Sequence, residues 1–278
     1  MLDLSIVGKK FEPTLFEYTW KDVVLYALGI GAQSAELPFV YENTPVGLKV
    51  FPSYGVILAG KSYMDILATM KVDLSRFIHG EERLKLHRPI PSQGKTLTVG
   101  EVASIYDKGK AALITFRMET TTDEGEPLCD SEAVVYYRGA GGFGGDPGPK
   151  TEPLVPPEGV EPDFCVSYAI PENQAVLYRL NGDLNPLHID PDFAKLGGFD
   201  RPILHGLCTF GCATRAILYS LCDGDVGRFK EIKARFSGVV YPGETLMTEG
   251  WREQNGRYLI QARTGRGVVL NQAYAVVA

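Results

Sequence analysis

Asp183, Asn185 and His188 lie close together in the run Gly182-Asp183-Leu184-Asn185-Pro186-Leu187-His188. An imidazole titrates near neutrality, and a free carboxylate is ionised there. Brought to one water, the two groups can remove one proton and deliver another, which is general acid–base chemistry. Pro186 fixes the backbone between them. The same residues also fit a plain structural loop in which Asp183 and Asn185 cap backbone amides.

A second feature follows at His205-Gly206, which opens a long apolar run. The first amides of a helix have no partner within it and carry the positive end of its dipole. Glycine lets a ligand come close to the backbone. An oxygen that gains negative charge during a reaction would be stabilised by the Gly206 and Leu207 amides. A glycine needed only for the turn into the helix is the competing reading. Asp190, before Pro191, reads as a helix cap rather than a base. Cys208 and Cys212 share a helix face, but no second ligand pair completes a metal site, so they read as core. Gly139–Gly145 is followed by neither helix nor lysine, which argues against a phosphate loop.

These residues need elements to hold them. Thr19-Trp20-Lys21-Asp22 reads as a capping box before a short helix over Val23–Leu28. Pro171 fits the first position of a second short helix, which Asn181-Gly182 stops. Leu207, Phe210, Thr214, Ile217 and Leu221 follow the helical period up to Asp223-Gly224, and Tyr54–Met70 is the first-half counterpart. Strands are expected at Arg83–His87, Thr96–Tyr106, Ala111–Thr122 and Leu128–Arg138, with His79 and His87 at the start of this group. The second set is Ile232–Ser237, Thr245–Gln254, Arg257–Thr264 and Val268–Val277. Turn signals at Asp107-Lys108-Gly109 and Asn255-Gly256 make the pairing antiparallel. The layout is α+β.

The pattern occurs twice. Val24–Leu28 matches Val176–Leu180, Gly94–Leu97 matches Gly243–Leu246, and Ala133–Val135 matches Ala275–Val277, in the same order. The richest glycine and proline stretch, Gly139–Glu161, falls between the copies. The division is therefore an N-terminal repeat at 1–140, a linker at 141–164 and a C-terminal repeat at 165–278. The first copy carries Gly29-Ile30-Gly31-Ala32 where the second carries its polar loop, so the chemistry belongs to the second.

Composition narrows the partners. The 278 residues hold 28 basic and 34 acidic side chains, a net charge of −6, which argues against nucleic acid. No apolar run approaches the ~20 residues of a membrane span. Five cysteines in no zinc spacing, with no basic leader at Met1-Leu2-Asp3-Leu4, read as reduced intracellular thiols. Val276-Val277-Ala278 is not a peroxisomal address.

Tyr178–His188 followed by Arg201–Thr209 resembles the MaoC-like (R)-specific enoyl-CoA hydratases, the hydratase 2 group also found within peroxisomal multifunctional β-oxidation enzymes. Val24–Ala32, Tyr137–Gly145 and Phe236–Leu246 resemble the same group. The resemblance implies a double hotdog, each half a long helix wrapped by an antiparallel sheet. It implies reversible hydration of trans-2-enoyl-CoA to (3R)-3-hydroxyacyl-CoA, with no metal or redox cofactor. By motif match, Asp183 and His188 are the catalytic pair, Asn185 helps hold them and the water, and the Gly206 amide faces the thioester oxygen. The degenerate first half is expected to give room to the acyl tail, so that a bulky substitution on its apolar helix, such as Ala59→Trp, should cut activity on long chains only.

Coenzyme A is polyanionic, so an acidic protein needs a local cationic patch. Lys233 and Arg235, before Tyr241-Pro242-Gly243, and Arg201 beside the motif are the candidates; they also fit as ordinary surface charges. A homodimer and, by resemblance, a peroxisomal setting are expected. An acyl-CoA thioesterase and a (3R)-hydroxyacyl-thioester dehydratase are the rival activities, because one fold hosts many chemistries. A non-catalytic acyl-CoA-binding module is the rival of another class.

Overall fold

Period-two burial shapes the sheet. In the first half the strands are β1 (Thr14–Tyr18), β2 (Phe77–Leu86), β3 (Gly94–Asp107), β4 (Ala111–Thr122) and β5 (Pro127–Arg138). Along β4 and β5, buried residues such as Ile114, Phe116, Ala133 and Val135 alternate with more exposed ones. The helices of this half are α1 (Trp20–Gly29), α2 (Leu37–Val40) and α3 (Gly55–Met70). A computed structural model describes residues 2–150 and 152–278. Met1 and Thr151, the latter inside the linker, lie outside them.

The second half repeats the plan with β6 (Phe164–Ala169), α4 (Gln174–Tyr178), α5 (Pro191–Leu196), α6 (Gly206–Cys222), β7 (Phe229–Phe236), β8 (Thr245–Arg252), β9 (Arg257–Thr264) and β10 (Gly267–Val277). All ten strands form one antiparallel sheet in the order β1-β3-β4-β5-β2-β7-β10-β9-β8-β6. The order is the same from each edge inward, so the molecule is two hotdog units sharing one ladder.

The seam of that ladder is β2 against β7, with Glu81 opposite Arg235 and Lys85 opposite Glu231. Leu84, Ile232 and Ala234 bury one face of it. On the other face Glu81 takes Lys233 at 2.8 Å and Arg235 at 2.6 Å, and Glu231 takes Arg83 at 2.7 Å.

The two long helices differ in their surroundings. α3 buries one face, while Lys61, Met64 and Asp65 remain exposed. α6 is buried at every residue from Cys208 to Leu218. The first half covers its far side: Cys208 and Cys212 direct their thiols to the carbonyls of Gly29 and Ile30, at 3.2 and 3.3 Å. Arg215 makes two hydrogen bonds to Glu36, at 2.8 and 2.5 Å, and lies over the Tyr168 ring.

Caps and turns follow the local chemistry. Asp22 accepts the Thr19 amide at 2.7 Å and the Thr19 hydroxyl at 2.8 Å, which completes the expected box. α6 ends at Asp223 and Gly224, both with positive φ. The glycine run after β5 has a local purpose. The Asp107 carboxylate accepts the amides of Gly109, Gly142 and Gly144, each at 2.8 Å, and all three glycines have positive φ.

Some expectations need correction. α4 begins at Gln174 rather than at Pro171, whose carbonyl accepts the Gln174 amide in a preceding turn. β2 begins at Phe77, six residues early, so His79 lies within the strand and His87 just past its end. A bulge between His79 and Glu81, beside Gly80, breaks the alternation there. The edge strands β1 and β6 were not expected. Ala59 packs into the first-half core with Val102, Ile114 and Phe116. Among the described residues, no helix is long and apolar enough to cross a membrane.

Candidate active site

The polar loop between α4 and α5 is built by its own side chains. Gly182 ends the turn Arg179–Asn181 with φ +116°. Asp183 Oδ1 accepts the Asn185 amide at 3.1 Å, and Asn185 Oδ1 accepts the Leu187 amide at 3.1 Å. Asn185 thereby caps the tight turn Pro186–His188. The structural reading of Asp183 and Asn185 therefore holds in part, and it is compatible with chemistry. These bonds hold the Asp183 carboxylate on the open side of the loop, where it is exposed.

His188 ends the same turn and is buried. Its Nδ1 donates to the Ile203 carbonyl at 2.8 Å, since a carbonyl can only accept. Nε2 therefore keeps its lone pair. Burial lowers the His188 pKa, against the opposing pull of that hydrogen bond and of the Asp183 charge.

His205 joins the pair. Its Nε2 donates to the Asp183 backbone carbonyl at 3.2 Å. Its ring stacks on His188, with centroids 3.7 Å apart and planes 27° from parallel. Burial, helped by the repulsion of a charged His188, pulls its pKa down to about 4. Asp183, His188 and His205 each offer one ligand-type atom, all within 4.8 Å of one another. A metal would need the two imidazole lone pairs to converge. Stacked rings set them side by side instead, a poor fit to a tetrahedral ion.

Gly206 is the first residue of α6. Among the described residues, the Gly206 and Leu207 amides donate to no acceptor, as expected of a first turn. A Cβ on Gly206 would come within 3.3 Å of the Phe236 ring, so glycine keeps this wall close-packed. Asp190 is a cap, accepting the amides of Asp192 and Phe193.

Of the cationic candidates, Lys233 and Arg235 are both committed to Glu81 across the seam. Arg201 is half-exposed, lies 4.9 Å over the Tyr241 ring and has its nearest carboxylate, Glu172, at 3.9 Å. The structure thus groups Asp183, Asn185, His188 and Gly206, and leaves Arg201 the freest of the three cations.

Two residues near this group had not been singled out for a role of their own. His205 stood in the sequence only as the neighbour of Gly206. Tyr63, on α3, is the other. Burial pushes its phenol up, and the carboxylates of Glu82 and Asp183 push it further. No local pattern announces either contact.

Comparison with known proteins agrees with this geometry. Residues 16–139 match the MFE-2 hydratase 2 N-terminal domain, and residues 154–272 match the MaoC like domain. The chain is 40% identical over 281 residues to a Dictyostelium discoideum protein named probable enoyl-CoA hydratase 2, covering 98% of this chain and 95% of that one. It is 40% identical over 269 residues to the peroxisomal enoyl-CoA hydratase 2 of Arabidopsis thaliana, covering 89% and 86%. The solved structure of a MaoC-like dehydratase from Phytophthora capsici has a TM-score of 0.90 at 33% identity, covering 100% of this chain and 98% of that one. With the fold, the loop and both domain matches in agreement, the chain belongs to the hydratase 2 group of the MaoC-like family.

Proposed function

We propose that the chain reversibly hydrates trans-2-enoyl-CoA to (3R)-3-hydroxyacyl-CoA in β-oxidation. One observation carries this reading: a carboxylate and a tautomer-fixed imidazole stand together, with atoms within 4.8 Å, in the half that also opens a helix on unpaired amides. In hydration, the water oxygen bonds to C3 and the alkene electrons move toward the thioester oxygen. The enolate charge that builds there meets the Gly206 amide, and loss of such a donor typically costs about 3 kcal/mol. The proton lost by water leaves through the Asp183/His188 pair, and C2 receives a proton from the same pair. Both transfers come from one face, so addition is syn.

No cofactor enters these steps; the coenzyme A thioester is itself the substrate. Arg201 is the favoured contact to its phosphates, with Lys233 and Arg235 secondary because Glu81 already holds them. The first half gives space to the acyl tail along α3, a reading supported by the absence of a polar loop in that half. A homodimer and a peroxisomal setting complete the reading; the latter is supported by the peroxisomal name of the Arabidopsis relative.

The test is turnover of trans-2-enoyl-CoA esters of several lengths, followed by loss of enoyl absorbance, with product chirality assigned. A (3R) product without release of free thiol is expected. Thiol release would make the protein a thioesterase, and binding without turnover would make it an acyl-CoA carrier.

A further inference from the structure

We infer that His205 is a positioning residue for this reaction, setting the distance between the Asp183 loop and the Gly206 amide. The inference rests on the hydration reading. His205 adjoins three parts of the machinery. It precedes Gly206 in the chain, its Nε2–H holds the Asp183 carbonyl at 3.2 Å, and its ring covers His188 at 3.7 Å. It is 1% exposed, and the Tyr178 ring closes it in at 4.9 Å.

Its place in the helix makes the choice of residue informative. His205 is the N-cap of α6. Ser, Thr, Asp or Asn at an N-cap turns its side chain inward and satisfies the amides of the second and third helical residues. His205 makes no such bond. Its side chain reaches back across the loop to Asp183, which leaves the Gly206 and Leu207 amides free for a ligand oxygen. Part of that arrangement has a cost, because His205 Nδ1 is buried with no hydrogen-bond partner among the described residues. The groups facing the ring are His188, Asp183, Tyr178 and Arg179. Its pKa of about 4 keeps the ring neutral at working pH, so that it donates from Nε2 without bringing a second charge to His188.

The experiment compares H205F, which keeps a stacking ring without a donor, with H205Q, which keeps a donor. Displacement of a catalytic group by about 1 Å can cost roughly 100-fold in rate. H205F should lose about 100-fold in kcat with KM changed less than about threefold, and H205Q should recover at least about tenfold of that loss. A merely structural residue would lower stability in both variants and leave kcat of the folded protein alone. H205F within about twofold of wild-type kcat, or H205Q no better than H205F, overturns the inference.

If H205F does not fold, nitrogen NMR of the wild-type imidazoles decides. His205 should stay neutral with its proton on Nε2 from about pH 6 to pH 9. The opposite tautomer, or an imidazolium in that range, overturns it. D183N in the same assay separates the two levels. An active D183N sinks the hydration reading itself, whereas an inactive D183N beside a normal H205F sinks the role of His205 alone.

Discussion

His188 and His205 lie face to face, 3.7 Å between ring centroids, and each gives its one ring proton to a backbone carbonyl, of Ile203 and of Asp183. Two protonated imidazoles at that separation would repel strongly, so the stack is a neutral one. This has a consequence for stability. Burial lowers both pKa values, that of His205 to about 4. Above about pH 6.5 both residues are neutral whether folded or unfolded, and they add no slope. Below it the unfolded chain takes up protons that the native state refuses. Stability should therefore fall as pH drops from about 6.5 toward 4, by about 5 °C or more in Tm. Thermal melts across that range check it, and H205F should show a shallower fall.

The pair proposed to handle the water is tested by D183N and H188Q. Each keeps the size of the side chain it replaces. Each should lower kcat by about 100- to 10,000-fold while circular dichroism and Tm stay near wild type. Near-normal hydration by either variant would remove it from the mechanism.

The Gly206 amide can be deleted without deleting the helix. Proline suits the first helical position, where no intrahelical bond is lost. His205, at φ −58° and ψ 136°, already has the extended backbone that a residue before proline prefers. G206P should therefore fold, with the Phe236 ring giving way slightly, and lose about 100- to 1,000-fold in kcat. A G206P enzyme with wild-type kcat would show that the oxyanion is bound elsewhere.

Arg215 and Glu36 form a nearly buried pair between α6 and the first half, with side chains 7% and 12% exposed. Removing one partner leaves a charge with little access to water. E36A should cost about 3–5 kcal/mol of stability, read by urea unfolding. Adding R215M on top should recover part of that loss, since no unpaired charge then remains.

Much of the site could be read from the sequence because its parts are local. Asp183, Asn185, Pro186 and His188 fold back on one another through bonds spanning two or three residues. Gly206 announces itself at the head of an apolar run. His205 does not, because its partner carbonyl lies 22 residues earlier and only the tertiary fold brings the two together. Lys233 and Arg235 look like free cations until Glu81, about 150 residues away, appears opposite them. The edge strands β1 and β6 hold five and six residues and gain definition only by pairing with β3 and β8.

The β2–β7 seam changes what the linker is for. A tether matters when nothing else joins two bodies, but here five facing residue pairs and three ion pairs already do so. A protease nick within the exposed stretch at 157–161 should leave two fragments that still migrate as one particle and still turn over substrate. Made separately, each fragment would carry a naked inner strand, β2 or β7, and would self-associate or precipitate. Covalent continuity then serves assembly more than endurance. It delivers two unlike partners in equal number at the moment of folding.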